Sequence, residues 1–199
     1  MNCFRISALV ALFVFSSAKA NALVDFGVKG GLTNTRYSLF GDTSSETSFG
    51  SGYTVGMSLD IGALGLGFET GLYYARRSPI LSVAGVESTY QIDSLEIPLL
   101  FRQRFAGLIQ TGVGLLYRRM VNPIALNTYG FEANFDHETV GLRRNDMALL
   151  VQLGLRMPLA LIALTAELRG FIGLNDLSTE QSWVSSHSVG GDVLFGVVF

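Results

Sequence analysis

From residue 24 onward the chain alternates apolar residues with polar or small ones, the period-two pattern of pleated strands whose two faces meet different surroundings. Val24, Phe26, Val28 and Leu32 fall on one face; Asp25, Gly27, Lys29, Gly31 and Thr33 fall on the other. The same alternation returns at residues 53–61, 64–76, 95–102, 109–118, 149–156, 164–169 and 189–199, which makes eight segments. The pattern therefore predicts an all-β fold. Pro98 cannot donate to a strand ladder, and a bulge is expected where it interrupts the fourth segment.

Connections alternate in length. Short turns are expected near residues 62–65, 103–107 and 157–161, and long polar loops over 34–51, 77–91, 119–145 and 175–187. In every segment the repeated residues of one face are Val, Leu, Ile and Phe. A soluble barrel would need polar residues there, so this face is expected to lie in lipid and the sheet to close as an eight-stranded antiparallel up-and-down transmembrane β-barrel. Such barrels keep short turns in the periplasm and long loops outside, which puts both termini in the periplasm. A helical rival exists at residues 147–166, which approach the length of a membrane span. Gln152, Arg156 and Pro158 interrupt it, and a hairpin turning near Pro158 sends the first two inward instead.

Composition sharpens the picture. The chain has 199 residues, 49% hydrophobic, with 23 glycines, yet no apolar run free of charge, Gln and Pro reaches the roughly 20 residues that a membrane helix needs. The first residues stand apart: Arg5 gives a positive start, residues 6–15 an apolar core, and Ala18-Lys19-Ala20 a cleavage site. Residues 1–20 are thus expected to be a signal peptide, cleaved after 20 or after 22, with the barrel occupying residues 21–199. Cys3, the single cysteine, leaves with it, so no intramolecular disulfide can form. The remaining twelve basic and sixteen acidic residues give a net charge of −4 without a basic stripe, which argues against nucleic acid as a partner.

Several motifs point to a family. Leu95-Glu96-Ile97-Pro98-Leu99-Leu100, then Gly112-Val113-Gly114, then Glu167-Leu168-Arg169-Gly170 with Gly173-Leu174-Asn175, resemble the strand motifs of the small bacterial outer-membrane β-barrel proteins (porin family, or outer membrane protein β-barrel domain), which are like OmpA and OmpX in architecture. The terminal Phe199, preceded by apolar residues at every second position, is similar to the signal read by the outer-membrane assembly machinery. The resemblance implies outer-membrane lipid and that machinery as partners. It implies no activity, because the fold hosts adhesins, enzymes, narrow channels and structural proteins alike.

The chemistry-bearing residues fall mainly inside. Five basic residues (Lys29, Arg102, Arg118, Arg156, Arg169) and seven acidic ones (Asp25, Asp60, Glu69, Glu96, Asp146, Glu167, Asp192) project inward. Charges held in a narrow bore must be paired or hydrated, and Glu69, Glu96, Arg102, Arg118, Arg156, Glu167 and Arg169 are read as a luminal network that fills it. The alternative is a narrow ion or small-solute channel. A lipid-modifying enzyme would need an activated nucleophile with His and a carboxylate in reach; a resemblance to lipid A deacylases would want His and Ser one residue apart, but Thr139 and Val189 hold those places after His137 and His187. Asp136, His137 and Glu138 are adjacent and diverge, so no metal site, cofactor or catalytic residue is expected. Tyr53, Tyr74, Tyr117 and Trp183 on one rim, and Phe26, Phe101, Phe105 and Phe199 on the other, read as interfacial girdles. Tyr37, Phe40, Phe49, Tyr129, Phe131 and Phe135 in the loops, chiefly 34–51 and 119–145, form the surface open to an extracellular ligand.

Overall fold

The structure, a computed structural model, describes residues 23–40, 45–83, 86–122, 124–128, 131–135, 143–159, 161–175 and 185–199. The expected leader, His137 and Trp183 lie outside the described residues. Twelve strands are described: β1 (Leu23–Phe40), β2 (Ser45–Ser48), β3 (Gly50–Ala63), β4 (Leu66–Arg77), β5 (Ile80–Val83), β6 (Val86–Phe105), β7 (Ile109–Met120), β8 (Ile124–Thr128), β9 (Phe131–Phe135), β10 (Asn145–Pro158), β11 (Ala163–Gly173) and β12 (Ser185–Val198).

Eight of them close into a barrel. Each of β1, β3, β4, β6, β7, β10, β11 and β12 pairs antiparallel with the next, and β12 returns to β1 over Gly27↔Val198 to Phe40↔Ser185. The shortest has 11 residues, enough to cross a hydrocarbon layer at the usual tilt. Residues 147–166 are the hairpin of β10 and β11, Pro158 standing opposite Ala163.

Alternation sorts the side chains as the sequence predicts. Val24, Leu32, Phe68, Leu99, Leu155 and Leu168 stand exposed on the outer face, while Asp25, Lys29, Glu69, Arg102, Gln152 and Glu167 are buried inside. A continuous apolar exterior of this extent would aggregate in water; in lipid it is the solvated face. The interior is two-sided. Leu100, Leu116, Ala148, Leu150 and Phe171 form an apolar wall on β6, β7, β10 and β11, and the charged groups fill other levels of the bore.

Two expectations need correction. No bulge forms at Pro98: the β4–β6 register is the same on either side, Thr70↔Leu99 and Tyr73↔Glu96, and the ladder only omits the intervening pairs. An absent donor there interrupts the hydrogen bonding without adding a residue. The long connections are also shorter than expected, because strands run on past the apolar band. Residues 34–40 of β1 still pair with 185–191 of β12, and β6 starts at Val86. Beyond the band the outer face is no longer selected for lipid, so residues such as Asn34 and Arg36 hide a strand that the backbone continues. The start of β6 also joins β2, β5, β8 and β9 in a small antiparallel sheet at this end.

The other end is tight. Leu64 and Gly65 both have positive φ, 56° and 83°, as the two-residue hairpin between β3 and β4 requires. Glycine adopts this conformation freely, whereas leucine is strained by about 1–2 kcal/mol. Leu64→Asn, which supplies the favoured Asn-Gly pair, is expected to raise stability by about 1 kcal/mol. Denaturant unfolding of the refolded protein in micelles measures this, and an unchanged or lowered midpoint would contradict it.

Candidate functional site: the charged interior

The inward positions of β1, β4, β6 and β11 converge on one cluster. Lys29 donates from β1 to Glu69 Oε1 (2.8 Å) and to Glu167 Oε1 (2.7 Å). From β11, Arg169 donates to the same Glu69 oxygen (2.7 Å) and to Glu167 Oε2 (3.0 Å). Arg102 on β6 pairs with the second oxygen of Glu69 and with Asp60 at 2.7 Å. Tyr73, its ring 5.1 Å below the Arg169 guanidinium, completes the group. In the closed order of eight, β4 and β11 lie diametrically opposite. The 2.7 Å contact of Glu69 with Arg169 therefore bridges the full bore.

Two further layers flank the cluster. Toward the short-turn end, Arg104 joins Asp25 (2.9 Å) and Asp60 (2.7 Å), and Arg156 reaches Asp25 at 2.7 Å. Toward the other end, Arg77 grips Glu96 (2.8 Å), touches Asp192 (3.3 Å) and donates to Thr33 and Thr35. Arg118 pairs with Asp146 at 3.2 Å and donates to Ser188 Oγ at 2.9 Å. The Phe171 ring is held between the Arg77 and Arg118 guanidinium groups, 4.6 and 4.5 Å away.

Each of the seven named network residues lies in these layers. Glu69, Glu96, Arg102, Arg118, Glu167 and Arg169 are buried and Arg156 is half-buried. Arg77 and Arg104 were not legible from the alternation as read. Both lie one alternation past a predicted strand end: Arg77 follows Tyr73 and Ala75 on the inner face, and Arg104 follows Arg102. Continuing period two by one step would have found them. With these two added, the described interior holds seven cations against seven anions.

Some polar groups inside find no protein partner among the described residues. The side-chain amides of Gln110 and Gln152, and the hydroxyls of Thr54 and Thr165, are of this kind. Gln110 stands opposite Gly154 and Gln152 opposite Gly112, so the glycines leave room beside each amide, and buried groups so placed are ordinarily met by water.

The exterior carries its own polar boundary. Tyr53 and Tyr74 pack with ring centroids 6.2 Å apart, and Tyr117 donates to Asn145 Oδ1 at 3.0 Å. At the opposite rim Phe68 and Phe101 meet edge to face at 5.4 Å, and Phe26 and Phe199 are exposed. Phe199 is tied down: its N–H donates to the carbonyl of Phe26 at 2.7 Å. His187 lies on β12 in register with Ser38. Asp136, His137, Glu138 and Tyr129 lie outside the described residues, and Tyr37, Phe40, Phe131 and Phe135 are described in backbone only.

The sequence matches the family described as outer membrane protein beta-barrel domain over residues 15–179. Among solved structures, Neisserial surface protein A is similar at 14% identity, with 87% of this chain and 95% of that one covered and a TM-score of 0.50. The outer membrane protein OprG from Pseudomonas aeruginosa has 14% identity, 90% and 98% coverage and a TM-score of 0.49. The first of these likenesses supports the fold alone. No curated protein matches the sequence.

Glu69 is where removal of one charge does most damage, since three cations converge on it. Glu69→Gln is expected to cost about 3–5 kcal/mol, the penalty for leaving buried charge uncompensated. Arg119→Gln, at an exposed position with no carboxylate within ion-pair distance among the described residues, is expected to cost less than about 1 kcal/mol. Urea unfolding in micelles compares them, and equal costs would mean the interior charges are solvated like surface ones.

Proposed function

The chain belongs to the outer membrane protein beta-barrel domain family, and on that premise we propose that it is a non-enzymatic barrel whose interior is closed to solutes and whose outer connections meet the cell's surroundings. Membership puts it in the bacterial outer membrane, embedded in lipid. The observation that carries the closed reading is the Glu69–Arg169 contact across the bore diameter. A balanced interior needs no counter-ion from a transported solute, and its charges are engaged with one another rather than lining a wall.

Chain geometry supports an orientation with both termini in the periplasm. Leu23 pairs with Gly62 beside the Leu64 turn and Phe199 pairs with Phe26, so both ends of the barrel chain lie at the short-turn end. That end is the periplasmic one by the general habit of such barrels. Residues 1–20 act as the export signal, and Phe199 serves as the element that the assembly machinery reads. N-terminal sequencing of protein from the outer-membrane fraction is expected to give Asn21 or Leu23; a start at Met1 would refute the leader.

A second reading, a narrow channel, draws support from the unpartnered amides of Gln110 and Gln152, beside which water would sit. Planar-bilayer recordings separate the two. The closed reading expects no reproducible conductance steps; steps that change in Glu96→Gln or Arg118→Ala would overturn it in favour of the channel.

A further inference from the structure

Charge on this protein is sorted by height. The interior is balanced. Segments 41–49, 78–91, 121–142 and 174–186, which connect the barrel strands at the long-connection end, hold eight acidic residues and no basic one. Between these tiers is a rim of arginine. Of the described charged side chains that do not face the interior, five are Arg36, Arg76, Arg119, Arg143 and Arg144, and the sixth is Asp93. Asp93 is already engaged, taking Arg76 at 2.7 and 2.9 Å and Asn122 at 2.9 Å.

The register gathers three of these arginines on one stretch of wall, and Arg143 adjoins them in the chain. Arg76 on β4 stands opposite Asp93 on β6; Arg119 on β7 stands between Leu95 on β6 and Asn145 on β10. Arg144 immediately precedes β10, its carbonyl accepting the Met120 N–H at 2.8 Å. At the usual strand spacing and rise, the two-strand, two-residue offset between Arg76 and Arg119 comes to about 12 Å. Among the described residues, Arg119, Arg143 and Arg144 meet no carboxylate within ion-pair distance, and all three are exposed.

Their height decides what they meet. On the same wall the outward face is Leu72, Leu115 and Leu149, then Tyr74 and Tyr117, then the arginines. Tyrosines at the end of an apolar band mark the headgroup level. A guanidinium just past that level faces lipid headgroups, and its paired N–H groups match the oxygens of a phosphate. We propose that Arg119, Arg143 and Arg144, with Arg76 beside them, form a binding site for the phosphate groups of outer-leaflet lipid. The excess of acidic over basic residues in the chain disfavours a soluble polyanion, whereas a lipid phosphate is held beside the guanidinium groups by the bilayer itself. The leaflet rests on the orientation given under the proposed function; the phosphate chemistry does not.

The test uses the full-length folded protein and the variant R119Q/R143Q/R144Q, none of whose positions touches the interior network. Both are exchanged into micelles with diphosphorylated lipid A, with its dephosphorylated form, or with phosphatidylcholine alone, and native mass spectrometry counts the retained lipid. A heat-dependent gel shift confirms that each barrel is folded. Retention of the diphosphorylated lipid, weakened tenfold or more in the variant and absent for the dephosphorylated form, is the expected result. Equal retention by the variant, or of both lipid forms, overturns the site. Complete displacement by millimolar inorganic phosphate or by a sulfated polysaccharide would make it a soluble-anion site instead, and also overturns the proposal. Asn127→Cys on β8, labelled on intact cells by an impermeant maleimide, reports the orientation separately. Absence of labelling overturns the outer-leaflet assignment, while labelling without lipid retention overturns the phosphate site alone.

Discussion

A backbone N–H in hydrocarbon has no water to turn to, and each one left unpaired costs several kcal/mol. Everything else in this fold depends on meeting that constraint, and the seam between β1 and β12 is where it is met. The two strands come from opposite ends of the chain and stay paired from Gly27↔Val198 to Phe40↔Ser185. The approach is close: a Cβ at Gly31 would fall 1.8 Å from the carbonyl oxygen of Val193. Closure leaves the barrel no open edge, and it also defines an inside into which every second side chain must fit.

The inside then has to be made acceptable to charge. An apolar wall built from Leu100, Leu116, Leu150 and Phe171 fills part of it, and seven cations and seven anions fill much of the remainder in three layers. Glycine at positions 112 and 154 makes room for the long side chains of Arg102, Gln110 and Gln152. Polar character therefore concentrates along the axis and aliphatic character along the exterior, the reverse of a soluble domain.

How much of this could be read in advance follows from which forces leave a mark on sequence. Lipid selects aliphatic residues at every second outward position, so all eight barrel strands and the three short turns were legible from residues such as Val24, Phe68 and Leu155. Where lipid ends, the mark ends too, and the strand extensions through Phe40, Val86 and Ser185 were lost among polar residues. Arg77 and Arg104 were missed for the same reason, being at strand ends. Their omission left the expected interior at five cations to seven anions, an imbalance that was itself a sign of incompleteness. Pairing partners were not legible at all, since whether Lys29 meets Glu69 depends on shear between strands, which no local pattern records.

Three of the interior pairs are also distant along the chain: Glu69 and Arg169 are 100 residues apart, Asp25 and Arg156 are 131, and Lys29 and Glu167 are 138. None can form within a hairpin. An open sheet lying across the bilayer would thus bring charges such as these into contact with hydrocarbon before their partners arrived, at a cost no single strand's apolar face could offset. Curling of the sheet and its passage into the membrane must accordingly proceed together, with the last strand docking on the first as the charges are neutralised.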